Sequence, residues 1–312
     1  MDRAGAAALA LAATASLALA ADTPPLRAAR WLATGADPVR ALAYAPAECL
    51  KRPTGRESAY AVEVGRAAFR SPLLLGGQAA RAGLSCESCH RSGRGNPQFH
   101  FPGVSGAPGT ADVTASLFST RRGDGVDNPK PIPDLAAPKS SLKIAQDTES
   151  HALERFIRGL VVEEFDGREP SPRVLSGLAA YVRANSPSAC PPWSTTRDGA
   201  AARVDAVRRA IEAAREALRR QDRATAETMI LAARSGLGGL NERYASAQLG
   251  ETRARLRSAD QDLAAALDAV RRRDPRASEQ LAVWLARQEW IAGVTRDEAA
   301  SLFEPANLVT PP

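Results

Sequence analysis

The most regular pattern of hydrophobic and polar positions lies in the second half of this 312-residue chain. Between positions 204 and 218, apolar residues recur every three or four positions, which places them on one face of an α-helix. The stretches 256–270 and 281–285 repeat this spacing, and a glycine cluster between Gly236 and Gly239 predicts a turn between helices. We therefore expect residues 196–304 to form a helical hairpin or small bundle, with a role in docking or self-association. The seven-residue repeat is too short to establish a coiled coil.

Two further helices are predicted in the first half. In residues 61–69, Gly65 and Phe69 fall on one helical face, and residues 171–184 carry an apolar stripe that includes Tyr181. A glycine on a helix face lets another helix approach closely, so we expect these two helices to pack together.

The segment between these helices is rich in glycine and proline. This punctuation between positions 93 and 129 predicts ordered turns, and long loops in a compact domain are usually functional. The region also contains Asp112, Asp124, Asp127 and Asn128. Their spacing is not that of a calcium-binding loop, so we expect these side chains to cap turns.

The N-terminus and the charge limit the class of protein. Arg3 is followed by small apolar residues up to Ala18-Leu19-Ala20, the pattern of a cleavable signal peptide over residues 1–20. The mature chain is therefore expected in the periplasm, without a membrane span. The formal charge of +6 comes mainly from arginines interspersed with acids. We expect no nucleic-acid partner, although a mildly basic surface could steer an acidic protein.

The motif that names a chemistry is Cys86-Glu87-Ser88-Cys89-His90. C-x-x-C-H is the attachment site of a c-type haem. Two thiols one helical turn apart can each form a thioether with a haem vinyl group, and the adjacent histidine can coordinate the iron. The alternatives are a redox-active C-x-x-C, which needs a βαβ context, and half of a zinc site, which needs a second ligand pair. We therefore predict one covalent haem c held by Cys86, Cys89 and His90, with His90 as the proximal iron ligand.

The surroundings of the motif resemble a known family. A helix with a small residue and an aromatic residue, then C-x-x-C-H and a closing helix, is similar to class I c-type cytochromes. The run 82–135, which ends in Pro131-Ile132-Pro133-Asp134-Leu135, and the segment 153–165 resemble one haem domain of the di-haem cytochrome c peroxidase and methylamine-utilisation superfamily. The resemblance covers about half of the chain and implies an all-α, cytochrome c-like haem domain at residues 45–193. Those enzymes carry two haem motifs, whereas this chain has one.

Two cysteines lie outside the motif. Cys49 and Cys190 flank most of the predicted haem domain, and they form an even pair in an oxidising compartment. We expect a disulfide that closes the two ends of this domain. The alternative is a pair of unrelated thiols.

The sixth iron ligand stays open at this level. A methionine ligand would suit electron transfer, whereas an open position would permit O₂, NO or peroxide chemistry. Met229 lies far from the motif in a helical stretch, where we expect it to pack in the core. His151, which follows His90 by 61 residues, and His100, between two phenylalanines, are the candidate distal ligands.

Three functions fit these features. The favoured one is an exported mono-haem c-type cytochrome that transfers single electrons to a partner protein and has no catalytic residue. The second is a peroxidase-like or gas-sensing haem protein with an open sixth position. The third is a haem-bearing docking subunit of a respiratory complex.

Overall fold

The computed structural model describes residues 26–190 and 195–309. The predicted signal peptide, residues 1–20, and the predicted end of the haem domain at 193 lie outside these ranges. The described residues are mostly helical, which confirms the all-α class. In the two described ranges we find no helix with the length and apolar character that crossing a membrane requires.

The first half combines short helices with a long irregular segment. Its described helices are α1 (Pro38–Leu42), α2 (Arg56–Phe69), α3 (Gly77–Ala82), α4 (Cys86–Cys89), α5 (Ala152–Gly159) and α6 (Pro172–Ala184). The described strands are β1 (Tyr44–Pro46), β2 (Thr110–Ala111), β3 (Lys130–Pro131) and β4 (Thr195–Arg197), which form the antiparallel pairs β1–β4 and β2–β3. The segment between α4 and α5 is built mainly of turns around β2 and β3.

Helices α2 and α6 pack against each other through two glycines. A β-carbon on Gly65 would lie 1.9 Å from the carbonyl oxygen of Gly177. Only a residue without a side chain fits this contact, as the position of Gly65 in the sequence predicted. The close approach brings Phe69 and Tyr181 together, with ring centroids 5.0 Å apart.

The second half is a helical bundle. Its described helices are α7 (Ala200–Arg219), α8 (Arg223–Arg243), α9 (Gly250–Arg271), α10 (Ala277–Ala286), α11 (Glu289–Arg296) and α12 (Pro305–Val309). Helix α8 packs between α7 and α9, and the periodic apolar positions of the sequence, such as Ile211 and Leu263, are fully buried.

The predicted turn at Gly236–Gly239 is wrong, because α8 runs through these glycines without a break. A β-carbon on Gly236 would lie 2.6 Å from Val207 Cγ2, so this glycine allows α7 and α8 to approach closely. The chain turns instead between α7 and α8, where Gln221 adopts a left-handed conformation with φ of 60°.

The two halves share one hydrophobic core. Helix α2 packs against α7 and α8 as well as α6, so buried apolar side chains run continuously from one half into the other. The N-terminal segment also packs on the second half, where Leu26 and Leu42 join Leu302 and Leu308 in a smaller cluster. The buried Arg243 donates to the carbonyls of Leu42, at 2.8 Å, and Leu302, at 2.7 Å.

The segment 49–190 begins and ends at the same place in the fold. Strand β1 pairs with β4, and close by Cys49 and Cys190 form a disulfide with their Cα atoms 5.1 Å apart. This is the pairing expected from the sequence, and it closes a loop that spans 141 positions.

Candidate functional site

The short helix α4 presents its two thiols on one face. The Ser85 N–H donates to Ser88 Oγ at 3.0 Å where α4 begins, and the Asn96 side chain donates to the Ser88 carbonyl at 2.8 Å where it ends. Cys86 and Cys89 are three positions apart, so they share a side of this turn. Both are partly buried and lie against the hydrophobic core.

The ring of His90 has a defined orientation and protonation. Its Nδ1 lies 3.0 Å from the carbonyl oxygen of Pro133. A carbonyl oxygen only accepts hydrogen bonds, so Nδ1 must carry the proton and donate it. In the neutral ring the lone pair is then on Nε2, the arrangement in which a histidine binds a metal while its other nitrogen donates to a backbone carbonyl.

An ion pair holds the carbonyl that orients His90. Asp134, which follows Pro133, accepts from Arg94 Nε at 2.9 and 2.7 Å and from the Ala136 N–H at 2.9 Å. Arg94 follows His90 by four positions, so both ends of the Pro133–His90 contact are tied to one ion pair, in which both carboxylate oxygens share a single Nε–H. Charge-assisted hydrogen bonds of this kind are stronger than neutral ones and restrict both partners.

Burial sets the protonation of the three residues. It raises the pKa of Cys86 and of Cys89 to about 12, so both groups are thiols at neutral pH. Burial also lowers the pKa of His90 to about 4, so its ring is neutral. Thiol–disulfide exchange and zinc binding both use thiolates, which this environment disfavours. A neutral imidazole is the form that coordinates iron.

An aromatic path connects His90 with a charged cluster. The centroid of Phe69 lies 6.4 Å from that of His90, and Phe69 in turn contacts Tyr181. The Tyr181 hydroxyl donates to Glu48 at 2.8 Å, and Glu48 also accepts from Arg66 and Arg70. Phe69 of α2 thus lies beside His90, and Tyr181 of α6 separates Phe69 from the charged cluster of Glu48, Arg66 and Arg70.

The two distal candidates, His100 and His151, have different surroundings in the fold. The His100 N–H donates to the Trp31 carbonyl at 2.7 Å, and His151 is exposed at the start of α5 with φ of 51°. Among the described residues, neither histidine forms a hydrogen bond or ring contact with His90. Met229 is fully buried in α8, which confirms that it is a core residue.

The loop carboxylates serve turns. Asp112 accepts from the N–H and hydroxyl of Thr114, and from the Asn128 N–H at 3.0 Å, while Asp124 accepts from the Val126 N–H at 2.8 Å. In the part of the chain that the structure describes, no three His, Cys, Asp or Glu residues form a cluster suited to a metal ion. Asp112 and Asp124 thus cap turns, as the sequence predicted.

Sequence reasoning gave no role to Glu164, although this residue lies in the segment 153–165 that carries the resemblance. This residue ends a π-helical turn, Leu160–Glu164, and its Oε2 is buried without a hydrogen-bond partner in the described chain. Burial raises the pKa of its carboxyl. π-Helical turns and buried carboxyls both occur often at functional sites. The only signal in the sequence was an acidic pair, Glu163-Glu164, between two apolar residues.

The residues of the motif fit a covalent haem. Two protonated thiols share one face, the neutral ring of His90 keeps its lone pair on Nε2, and both thiols lie against apolar side chains of the core. No protein-family model, curated protein or solved structure matches this chain.

Proposed function

We propose that this protein is a c-type cytochrome with one covalent haem, and that it transfers single electrons. Cys86 and Cys89 would hold the haem through thioether bonds, and His90 Nε2 would coordinate its iron. The hydrogen bond from His90 Nδ1 to the Pro133 carbonyl carries the proposal, because it fixes the tautomer that an axial ligand needs. The haem supplies reversible one-electron chemistry when bound.

The protein's own residues keep His90 in place and tune its basicity. The Arg94–Asp134 pair positions the Pro133 carbonyl, which draws on the Nδ1 proton and makes Nε2 a stronger donor. Phe69 packs beside the ring and excludes water from one side. These features suit a fixed axial ligand, which keeps rearrangement small during electron transfer.

Covalent haem attachment is the direct test. The protein should be produced in the periplasm of a host that matures c-type cytochromes, then denatured and separated on a gel that is stained for haem. We expect stain on the wild-type band and none on a Cys86→Ser/Cys89→Ser variant. The matched control is Cys49→Ala/Cys190→Ala, which also removes two cysteines and should keep its haem. An unstained wild-type band in a host that stains a known cytochrome would overturn the proposal.

A haem with an open sixth position is the second candidate. Residues 26–190 contain no methionine and Met229 is fully buried in α8, which favours this candidate over a methionine-ligated haem. Absorption spectra of ferric and ferrous protein, with and without carbon monoxide, distinguish the two. A low-spin spectrum that carbon monoxide does not change supports the carrier, and single His100→Ala and His151→Ala variants would then identify a histidine ligand. Rapid carbon monoxide binding supports the open site.

A further inference from the structure

A cavity of about 410 Å³ lies between the two halves, behind the segment that carries the C-x-x-C-H motif. Glu87, Ser88 and Arg91 line it, whereas the two thiols and His90 do not. The opposite wall is formed by α7 and α8. The side chains of Arg27 and Arg203 at this cavity are 41% and 40% exposed, so solvent reaches it. Its volume is in the range of small-molecule sites.

The lining of the cavity has a surplus of positive charge. Among the described residues, eight arginines and five acidic residues line it, with no lysine or histidine. Three of these arginines surround one carboxylate: Asp198 lies 2.5 Å from Arg203, 3.1 Å from Arg243 and 3.9 Å from Arg91. One carboxylate is thus shared by three guanidinium groups, and of these Arg243 and Arg91 are largely buried.

A second cluster of arginines and carboxylates also lines the cavity. Glu48 accepts from Arg66 at 2.7 Å and from Arg70 at 2.9 Å, and Glu63 and Glu87 lie 3.9 and 3.6 Å from these two arginines, so this cluster has no surplus of cations. The two clusters influence each other: Asp198 raises the pKa of Arg203, and Arg70 of the second cluster opposes this. The surplus of cations therefore lies around Asp198, which three arginines share.

Donors in this lining are left without acceptors. Arg209 Nε is buried and has no hydrogen-bond partner in the described ranges. Arg203 holds Asp198 through Nε and Nη2, and no bond from its Nη1 occurs among the described residues. The Nη2 of Arg209 forms an ion pair with Asp205, so Nε is the donor of this side chain that has no acceptor. Burial and the nearby Arg66 lower the pKa of Arg209.

We propose that this cavity binds a small oxyanion with at least two negative charges, of the dicarboxylate or phosphate class. Arg203 and Arg209 would supply donors to it from α7, and Arg91 of the first half and Arg243 of α8 would add positive charge. Planar guanidinium groups suit both carboxylate and phosphate acceptors. The anion would join the two halves at the back of the C-x-x-C-H segment. This site does not depend on the haem proposal.

Calorimetric titration of the purified full-length protein tests the site. Inorganic phosphate and succinate are the two probes, titrated at constant ionic strength with acetate as the monovalent comparison. We expect saturable one-site binding of phosphate, succinate or both, and acetate should bind at least tenfold more weakly. The preferred probe then identifies the class of anion. If neither divalent probe binds saturably, the proposal is wrong.

Matched variants locate the binding. Arg209→Gln should raise the Kd at least tenfold, while Arg257→Gln, which removes the same charge from an exposed position outside the cavity, should leave it unchanged. Equal losses in the two variants would show general charge screening and overturn the proposal. Ala206→Glu places a carboxylate in the cavity lining without removing an arginine, and it should abolish binding. Thermal unfolding monitored by circular dichroism verifies that each variant is folded.

Discussion

The bundle of α7, α8 and α9 and the loop region between α4 and α5 are stabilised in different ways. In the bundle, large apolar side chains such as Ile211, Leu237 and Leu263 are fully buried between regular helices. In the loop region, few side chains are buried, and polar side chains bind backbone groups instead. Ser105 Oγ donates to the Thr110 carbonyl and Ser119 Oγ to the Glu163 carbonyl, both at 2.6 Å.

This difference shows where each region obtains its apolar contacts. The bundle buries its own side chains, which is the main favourable contribution to folding. The loop region has an ordered backbone but little apolar core of its own, apart from residues such as Val104 and Phe118. Under the proposed function, the haem would supply the missing apolar surface, and the loops would be stabilised by what they bind.

Loss of the disulfide should have the largest effect on the contrast between these regions. The bond between Cys49 and Cys190 closes a long loop of the first half, so its removal gives the unfolded chain more freedom. We expect Cys49→Ala/Cys190→Ala to lower the free energy of unfolding by about 4 kcal/mol. Urea unfolding followed by circular dichroism measures this change.

Dithiothreitol provides the control for the disulfide. It should lower the urea midpoint of the wild type to that of the double variant and leave the variant unchanged, since thioethers are not reduced. If wild type and variant have the same urea midpoint without dithiothreitol, the disulfide does not stabilise the protein by restricting the unfolded chain.

The glycine contact between α2 and α6 should give the next largest effect. A methyl group at Gly65 would meet the Gly177 backbone, which cannot move without separating the two helices. We expect Gly65→Ala to cost about 3 kcal/mol of the free energy of unfolding. Thermal and urea unfolding measure it.

A glycine of the bundle is the matched control. A β-carbon added to Gly238 in α8 would have no neighbouring atom within 4 Å, so Gly238→Ala should stabilise the protein by about 1 kcal/mol through helix propensity. If both alanine variants have the same stability, the close α2–α6 packing is not a requirement of the fold.

The cluster around Glu48 should give the smallest of the three effects. Burial acts to raise the pKa of Glu48, but Arg70 and Arg66 outweigh it and lower the pKa from 4.5 to about 2. The folded state therefore binds the proton less readily than the unfolded state. The contribution of ionised Glu48 to the free energy of unfolding is fully present above pH 4.5 and is lost as the pH falls towards 2.

A pH series tests this contribution. We expect Glu48→Gln to lower the free energy of unfolding by about 2 kcal/mol at pH 7, after a discount for partial exposure, and to flatten its slope between pH 5 and about 2. Glu289→Gln, at a helix start on the surface of the bundle, should leave the slope unchanged. An unchanged slope in Glu48→Gln would show that this carboxylate does not favour the folded state.

The sequence predicted α7, α9 and α10 of the bundle, since each shows apolar positions at helical spacing. It also predicted the α2–α6 contact from Gly65 and singled out the Cys86–His90 motif. The sequence could not predict the acceptor for His90, because the Pro133 carbonyl belongs to the backbone and leaves no side-chain signal. The prediction at 236–239 was wrong because glycine is common both in turns and at close contacts between helices, and the sequence does not distinguish the two.

The cationic cavity could not be predicted for a different reason. Its arginines come from distant parts of the chain. Along the sequence each arginine lies near acidic residues, so the sequence alone predicts a solvated ion pair at each position. Asp198 and Arg203 are neighbours in sequence, but Arg91 and Arg243 reach them only in the folded chain. Only the packing of the two halves shows that arginines outnumber carboxylates there.

The β1–β4 pair and the nearby disulfide have a further consequence for how this molecule is assembled. Because residues 49–190 begin and end at one point, they form an insertion that a short turn between β1 and β4 could replace without stretching the backbone. The inserted segment still packs on the rest of the protein, since α2 lies within the insertion and contacts α7 and α8. Excising the segment would leave the chain connected while uncovering the side of the bundle on which α2 rests.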